Sequence, residues 1–267
     1  MASISQKIRL DKLLFDKGLV ESREKAKALI LAGDVKVNGL TADKAGMSVR
    51  SDAGLEILKK MPYVSRGGLK LKHAIDAFGI NVKDMIAMDI GASTGGYTDC
   101  LLQHGAKKVY AIDVGYGQLD LKLRNDPKVA LLEKTNIRYL DRNAVPDIID
   151  IITIDVSFIS LLKVIPKALE FLKDAGEIIA LIKPQFEVER KDVRKGGVVR
   201  DEAKRYEVIE RIKAALKDMG LEVKGLTESP IRGPKGNVEF LIYLSRTSNP
   251  DQAVIGSQTD EAPLKSF

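Results

Sequence analysis

Five segments of this chain carry residues whose types could do chemistry together. Asp89-Ile90-Gly91-Ala92-Ser93-Thr94-Gly95-Gly96-Tyr97 follows an apolar run and opens an amphipathic one. Glycines there permit a tight turn and close backbone approach to a ligand, and the N–H groups at a helix start can receive an anion. Asp113 stands 22 residues after Gly91, at the end of the next apolar run. An acid at that place characteristically accepts hydrogen bonds from a ribose diol, so the pair points to a nucleoside cofactor. The turn is neither G-x-G-x-x-G nor a Walker loop, which needs a Gly-Lys-Ser/Thr ending. Each of the other four segments brings one charged residue that stands out: Lys70 in Arg66-Gly67-Gly68-Leu69-Lys70, Asp155 in Asp155-Val156-Ser157-Phe158, Lys183 in Lys183-Pro184-Gln185-Phe186-Glu187, and Glu239 after Gly236-Asn237-Val238. Solvated surface charge is the bland reading of any one of them. Three of the four flank predicted strand ends on the side of the glycine-rich turn, and we read them as one constellation.

Gly91-Ala92-Ser93-Thr94-Gly95 also matches G-x-S-x-G, the nucleophile elbow of hydrolases. That chemistry needs a histidine base far along the chain. The only later histidine, His104, lies 11 residues on, within the same predicted helix. The hydrolase reading fails on inventory.

The elements that must position these residues follow from periodicity. Between residues 7 and 33, Leu10, Leu13 and Leu14 form one apolar stripe closed by Gly18, and Ser22 is an N-cap for a second helix with Ala26, Leu29 and Ile30, closed by Gly33. Val35-Lys36-Val37-Asn38-Gly39 reads as a strand entering a turn, and Gly54–Leu58 as another strand. From residue 64 strands and helices alternate. Strands are expected at Met85–Ile90, Lys108–Asp113, Val129–Leu132, Ile148–Asp155, Glu177–Ile182, Leu221–Thr227 and Val238–Leu244, with helices at 67–78, 96–104, 160–173 and 201–219. Continuous apolar runs such as Ile148–Ile154 suit strands covered on both faces, hence an α/β fold with a largely parallel sheet. The segment Ser229–Gly236 is too short for a crossover helix, so the last strand should return antiparallel. The expected organisation is a small α+β module at 1–60, a linker at 61–64, a Rossmann-like domain at 65–246 and a polar, disordered tail at 247–267.

The 267 residues carry 43 Lys+Arg against 37 Asp+Glu, and residues 1–72 alone hold 15 basic and 8 acidic residues. The basic excess therefore lies in the small module, which suits a polyanionic partner. One cysteine excludes an intramolecular disulfide and a multi-cysteine zinc site, and two histidines leave almost no material for a metal centre. The start lacks the apolar run of a signal peptide, and no stretch approaches the ~20 apolar residues of a membrane span. A cytoplasmic, metal-free monomer is expected.

Here the motifs add up to a resemblance. Lys70, Asp155, Lys183 and Glu239 match the Lys-Asp-Lys-Glu tetrad of the FtsJ-like ribose 2′-O-methyltransferases, and Asp89–Thr98 looks like their S-adenosylmethionine loop. Arg9–Leu14, Ser22-Arg23, Ala26, Ile30 and Gly33–Gly39 look like the αL-type RNA-binding domain first known from ribosomal small-subunit protein four. Together with Tyr63–Leu71 and Lys195–Asp201, they resemble the TlyA family, which methylates rRNA riboses and is often labelled hemolysin. The resemblance implies S-adenosyl-L-methionine as cofactor, ribosomal RNA or a ribosomal subunit as partner, and a mostly parallel seven-stranded methyltransferase sheet. It implies catalytic roles for the tetrad and cofactor contacts from Asp89, Gly91, Ala92, Ser93, Thr94, Gly95, Gly96, Tyr97, Asp113, Asn136 and Asp155. Asn136 departs from the acid that many FtsJ-like enzymes carry near the adenine. RNA contacts are expected from Arg9, Lys12, Arg23, Lys27, Lys36, Asn38 and Arg66. A non-catalytic RNA-binding assembly factor, a base N-methyltransferase and a membrane-active hemolysin are the competing readings.

Methyl transfer to a ribose hydroxyl wants a base, because the hydroxyl is almost wholly protonated at neutral pH. A lysine serves only if its pKa falls from ~10.4, as a second lysine nearby and partial burial would make it do. Lys183 is assigned the deprotonating or orienting role, Lys70 supplies the like charge, Asp155 orients Lys183, and Glu239 positions Lys70 or the ribose. The charged loop 190–197 reads either as a solvated connection or as a segment that closes over the RNA.

Overall fold

The computed structural model describes residues 7–31, 33–57, 62–188 and 197–247. Residues 190–196 of the charged loop, Met61 of the expected linker and the tail from residue 248 lie outside the described residues. The chain divides into two compact units, Met1–Met61 and Pro62–Phe267.

In the first unit β1 (Lys7–Arg9) runs into α1 (Leu10–Asp16) and α2 (Arg23–Leu31), followed by β2 (Val35–Val37), β3 (Leu40–Thr41), β4 (Ser48–Arg50) and β5 (Leu55–Ile57). The stripe Leu10, Leu13 and Leu14 is buried with Ala26, Ile30, Val35 and Val37 in one core. Ser22 caps α2, its Oγ accepting from the Lys25 N–H at 3.1 Å. Asn38 and Gly39, at φ 51° and 83°, form the two-residue turn that joins β2 to β3. Positive φ at both positions matches the twist of a hairpin, and Asn-Gly is the pair that tolerates it.

The second unit begins with α3 (Gly67–Phe78) and continues through β6 (Ile86–Ile90), α4 (Gly96–Gln103), β7 (Lys108–Ile112), α5 (Leu121–Arg124), β8 (Val129–Leu132), β9 (Ile149–Ile154), α6 (Ile165–Ala168), β10 (Leu172–Ile182), α7 (Pro184–Glu187), α8 (Glu202–Asp218), β11 (Leu221–Glu228) and β12 (Phe240–Arg246). Its sheet has the order β11-β12-β10-β9-β6-β7-β8. Every pairing from β10 to β8 is parallel, and β12 runs antiparallel to both its neighbours.

Strand alternation assigns each face its cover. Met88, Ile90, Ile152, Ile154, Ile178 and Ile182 share a core with Val208, Ile209 and Ile212 of α8. Ala87, Ile151, Ile179 and Leu181 face Leu71 and Ile75 of α3 and Cys100 and Leu101 of α4. Both faces are dry, which is why these strands read as continuous apolar runs.

One expected element is corrected. The helix anticipated over 160–173 is reduced to a 3-10 turn at Leu161–Lys163 and the single turn of α6, with Pro166 at its start, and residue 172 already belongs to β10. Proline is welcome at a first helical turn but cannot sit inside a longer helix, so the chain restarts there. Leu169 and Leu172 then offer their carbonyls to the Arg246 guanidinium instead of to a helix.

Candidate active site

Neighbouring strands β6, β7 and β9 end at one edge of the sheet, where chain order reverses, and open α/β sheets bind ligands in the crevice outside such a point. The glycine-rich turn leaves β6 there. Gly91 adopts φ 88°, and a Cβ on it would lie 2.5 Å from the Asp155 carbonyl oxygen. Gly95, at φ 96°, backs onto Leu119 and Leu123. Only glycine meets both demands, the left-handed backbone and the absent side chain. Ser93 also takes a positive φ of 50°, and its N–H donates to Asp113 Oδ2 at 2.8 Å. Gly115 N–H donates to Asp113 Oδ1 at 2.6 Å. Asp113 is thus locked in place at the mouth of the turn.

Two cavities share this edge. One, of about 470 Å³, is lined by Ser65, Arg66, Gly67, Lys70, Gly91–Thr94, Gly96, Tyr97, Asp155, Ile231, Arg232, Gly233 and Lys235. The other, of about 760 Å³, runs along Asp113, Asn136, Ile137, Val156, Ser157, Phe158 and Phe186. Gly91, Ser93 and Asp155 line both.

The tetrad resolves into two ion pairs. Lys70 Nζ donates to Glu239 Oε2 at 2.6 Å, with side-chain exposures of 12% and 0%. Lys183 Nζ stands 2.6 Å from Asp155 Oδ1 and donates to Ser157 Oγ at 2.9 Å. Asp155 Oδ1 is buried and has no partner among the described residues besides this ion pair. Gln185 Nε2 donates to Glu239 Oε1 at 3.4 Å, while its own buried Oε1 accepts nothing. The sequence reading missed Gln185 and Ser157, although each stands two residues from a tetrad member.

Asp89 does not reach either cavity. It is fully buried beneath the turn, where Thr98 Oγ1 donates at 2.7 Å and Thr153 Oγ1 at 3.0 Å. Desolvation pushes its carboxyl up to about 6, against the two hydroxyl bonds that favour the anion. Its part is to tie β6, α4 and β9 together under the turn, which corrects the expected cofactor contact. Gly95 is likewise a packing position, turned to Leu119 and Leu123 rather than to a cavity. Tyr97 is 3% exposed, and its buried Oη has no hydrogen-bond partner. Burial, with Asp155 and Asp89 nearby, holds its phenol well above the usual range. Asn136 lines the larger cavity and caps a 3-10 turn, its Oδ1 accepting from Arg138 N–H at 3.2 Å. Phe158 is 90% exposed at φ 65°, and its ring lies 4.9 Å from that of Phe186. An aromatic held open at a cavity rim is a further feature the sequence reading left out.

In the first unit the expected RNA contacts separate. Arg9 Nε donates to Asp11 Oδ1 at 3.0 Å and Arg23 Nη2 to Asp11 Oδ2 at 2.8 Å. Both guanidinium groups thereby hold a carboxylate that is itself wholly buried. Lys12 pairs with Asp16 at 2.5 Å. Asn38 Oδ1 accepts from the Gly54 N–H at 2.8 Å, so this side chain braces the hairpin. Lys27 is exposed and Lys36 half-buried on β2.

Residues 63–246 match the FtsJ-like methyltransferase family and residues 8–55 the S4 domain. The chain belongs to the FtsJ-like methyltransferases. Its relatives there are TlyA proteins: it is 40% identical over 261 residues to the 16S/23S rRNA (cytidine-2′-O)-methyltransferase TlyA of Mycobacterium tuberculosis, covering 97% of each chain. It is 45% identical over 237 residues to hemolysin A of Brachyspira hyodysenteriae, covering 88% of this chain and 99% of that one. A solved structure of a hemolysin-labelled protein from Streptococcus thermophilus superposes with a TM-score of 0.71 at 45% identity, covering 91% of this chain and 90% of the other. Among the described residues no helix is long and apolar enough to cross a membrane, and no three His, Cys, Asp or Glu side chains gather as metal ligands.

Proposed function

We propose that this protein methylates the 2′-hydroxyl of a ribose in ribosomal RNA, using S-adenosyl-L-methionine, with residues 1–60 holding RNA and residues 65–246 carrying the chemistry. The observation that carries this reading is the pair of buried lysine–carboxylate contacts, Lys70–Glu239 and Lys183–Asp155, beside the glycine-rich turn. The turn fits the cofactor: a ligand can approach Gly91 closely, locked Asp113 offers lone pairs to a ribose diol, and Asp155 lines both cavities, which places a carboxylate where a cation would sit. When bound, S-adenosylmethionine supplies an electrophilic methyl on a positively charged sulfur. Ser93 and Thr94 line the end of the crevice suited to its carboxylate, and Asn136 and Ile137 the end suited to its base.

Lys183 is the proton acceptor. It takes the 2′-hydroxyl proton as the methyl is transferred, and Asp155 steadies the charge on Nζ. Ser157 fixes the direction of Nζ. Lys70, countered by Glu239, presents a second amine to the ribose edge. Phe158 offers a flat apolar face on which an unpaired base can stack. Alignment of the hydroxyl supplies much of the rate, since effective molarities of ~10⁵ M are within reach of oriented groups. The protein acts as a cytoplasmic monomer without metal.

The test is to incubate purified protein with ribosomal RNA, or with a ribosomal subunit, and the cofactor, and then map methylation. A ribose 2′-O-methyl is expected. Methyl on a base would favour an N-methyltransferase, and cofactor binding without transfer would favour an assembly factor.

A further inference from the structure

The smaller cavity carries more positive charge than methyl transfer needs. Arg66, Lys70, Arg232 and Lys235 all line it, against one acid, Asp155. Lys70 is countered by Glu239, and Asp155 by Lys183. Arg66 and Lys235 meet no carboxylate among the described residues. Arg232 contacts Glu228 at 3.3 Å with both side chains more than half exposed, a pairing that water screens. Among the described residues three exposed cations therefore converge on a cavity whose one lining acid, Asp155, is already paired with Lys183.

The segment that brings two of them is built rather than loose. Ser229 N–H donates to the Glu239 carbonyl at 2.8 Å, and Ser229 Oγ donates to the Ile231 carbonyl at 2.8 Å. Gly233 N–H donates to the Asn237 carbonyl at 2.9 Å. Lys235 is held at φ 57°, a left-handed backbone that a side chain rarely adopts without something to fix it. A Cβ on Gly233 would collide with the Glu239 carboxylate. The loop that presents Arg232 and Lys235 is thus packed directly on the acid that holds Lys70.

We infer that Arg66, Arg232 and Lys235 form a phosphodiester clamp that grips the RNA backbone beside the target ribose, and that the loop 229–236 sets the clamp's register against the Lys70–Glu239 pair. The inference rests on the RNA-methylating reading above. Guanidinium forks suit phosphate oxygens, and such contacts position a strand without reading its sequence. The cofactor's carboxylate shares this anionic chemistry, so the experiment separates the two sources.

Full-length Arg66→Gln, Arg232→Gln and Lys235→Gln proteins are compared with wild type for cofactor affinity by calorimetry, and for KM toward ribosomal RNA across a potassium chloride series. The clamp predicts cofactor affinity within about twofold of wild type and KM raised about tenfold. It predicts a log KM against log salt slope shallower by roughly 0.7–0.9 for each cation that no longer meets a phosphate. Gly233→Ala, which presses on Glu239, should instead lower kcat more than it raises KM. Weakened cofactor affinity with an unchanged salt slope would assign these cations to the carboxylate and overturn the clamp. An unchanged KM and slope would overturn it too. If wild type transfers no methyl to ribose, the functional reading fails by itself, while the salt slope of RNA binding still decides the clamp.

Discussion

Among the described residues each unit buries one aspartate completely, and the two are treated in opposite ways. Asp11 in the first unit receives Arg9 and Arg23, and the guanidinium pair holds its carboxyl well below the usual range. Asp89 in the second unit receives no cation but the hydroxyls of Thr98 and Thr153 and the Thr98 backbone N–H, and burial pushes its carboxyl up to about 6. The first is an ionised strut made from the very arginines that a basic surface would otherwise offer to RNA. The second sits under the glycine-rich turn with no cation of its own, because the nearby lysines are taken by Asp155 and Glu239. The buried carboxylate of the first unit is held by surface arginines, whereas the largely buried lysines of the second pair at the crevice.

The largest expected effect tests the second half of that contrast. Lys183→Ala should lower single-turnover methylation by about 10³-fold while cofactor affinity stays near wild type, in keeping with loss of a positioned base. Lys183→Arg should fail as well, since guanidinium does not give up its proton in this range. Robust activity in Lys183→Ala would mean that alignment alone carries the reaction.

The two aspartates should also give pH profiles of opposite sign. Asp89 has a folded-state pKa above its unfolded value, so its favourable contribution is complete below pH ~4 and is lost as pH rises through about 6. The stability difference between wild type and Asp89→Asn, measured by denaturant unfolding, should shift by about 2 kcal/mol between pH 4 and 7. Parallel curves would refute the assignment. Asp11 has a lowered folded-state pKa, so its contribution is present above pH ~4 and is lost as pH falls through the depressed value. Asp11→Ala should cost about 2 kcal/mol at neutral pH, the scale of a hydrogen bond to a charged group. Thermal scans should show that loss at neutral pH and its disappearance in acid.

The smallest expected effect concerns the cations not used by the fold. Lys36→Ala and Lys27→Ala should each flatten the log–log salt dependence of RNA binding by less than one unit and leave cofactor affinity unchanged. Arg9→Ala should weaken RNA binding partly through reduced stability, because its guanidinium also holds Asp11. Equal salt slopes and equal stabilities for all three would erase the distinction between surface and strut.

Much of the second unit was readable because its signals are local or periodic. The Ile149–Ile154 run, the Gly91–Gly96 turn and the short return before β12 each constrain a few consecutive residues, and the strands fell within two residues of expectation except at β10. There the chain pairs from Leu172, with a register shift before Glu177, where an apolar pattern interrupted by Ala-Gly gave no period to follow. Helix 160–173 failed for the same reason that helices often fail: Pro166 permits a start but not an interior.

The order of residues already carries the inventory and its rough address: four charged residues of the right types, three of them beside strand ends, a turn only glycines can make, and a basic first quarter. Only the tertiary structure decided the pairings. Lys70 and Glu239 are 169 residues apart in the chain and 2.6 Å apart in space. The same is true of the support under the turn, where Asp89 joins Thr153 across 64 residues. It also decided that Arg9 and Arg23 converge on one buried carboxylate, and that Arg232 and Lys235 open onto the same cavity as Arg66. Periodicity reports which face of an element is apolar, whereas which polar groups meet is set by strand order, register and burial cost, and those exist only once the sheet is assembled.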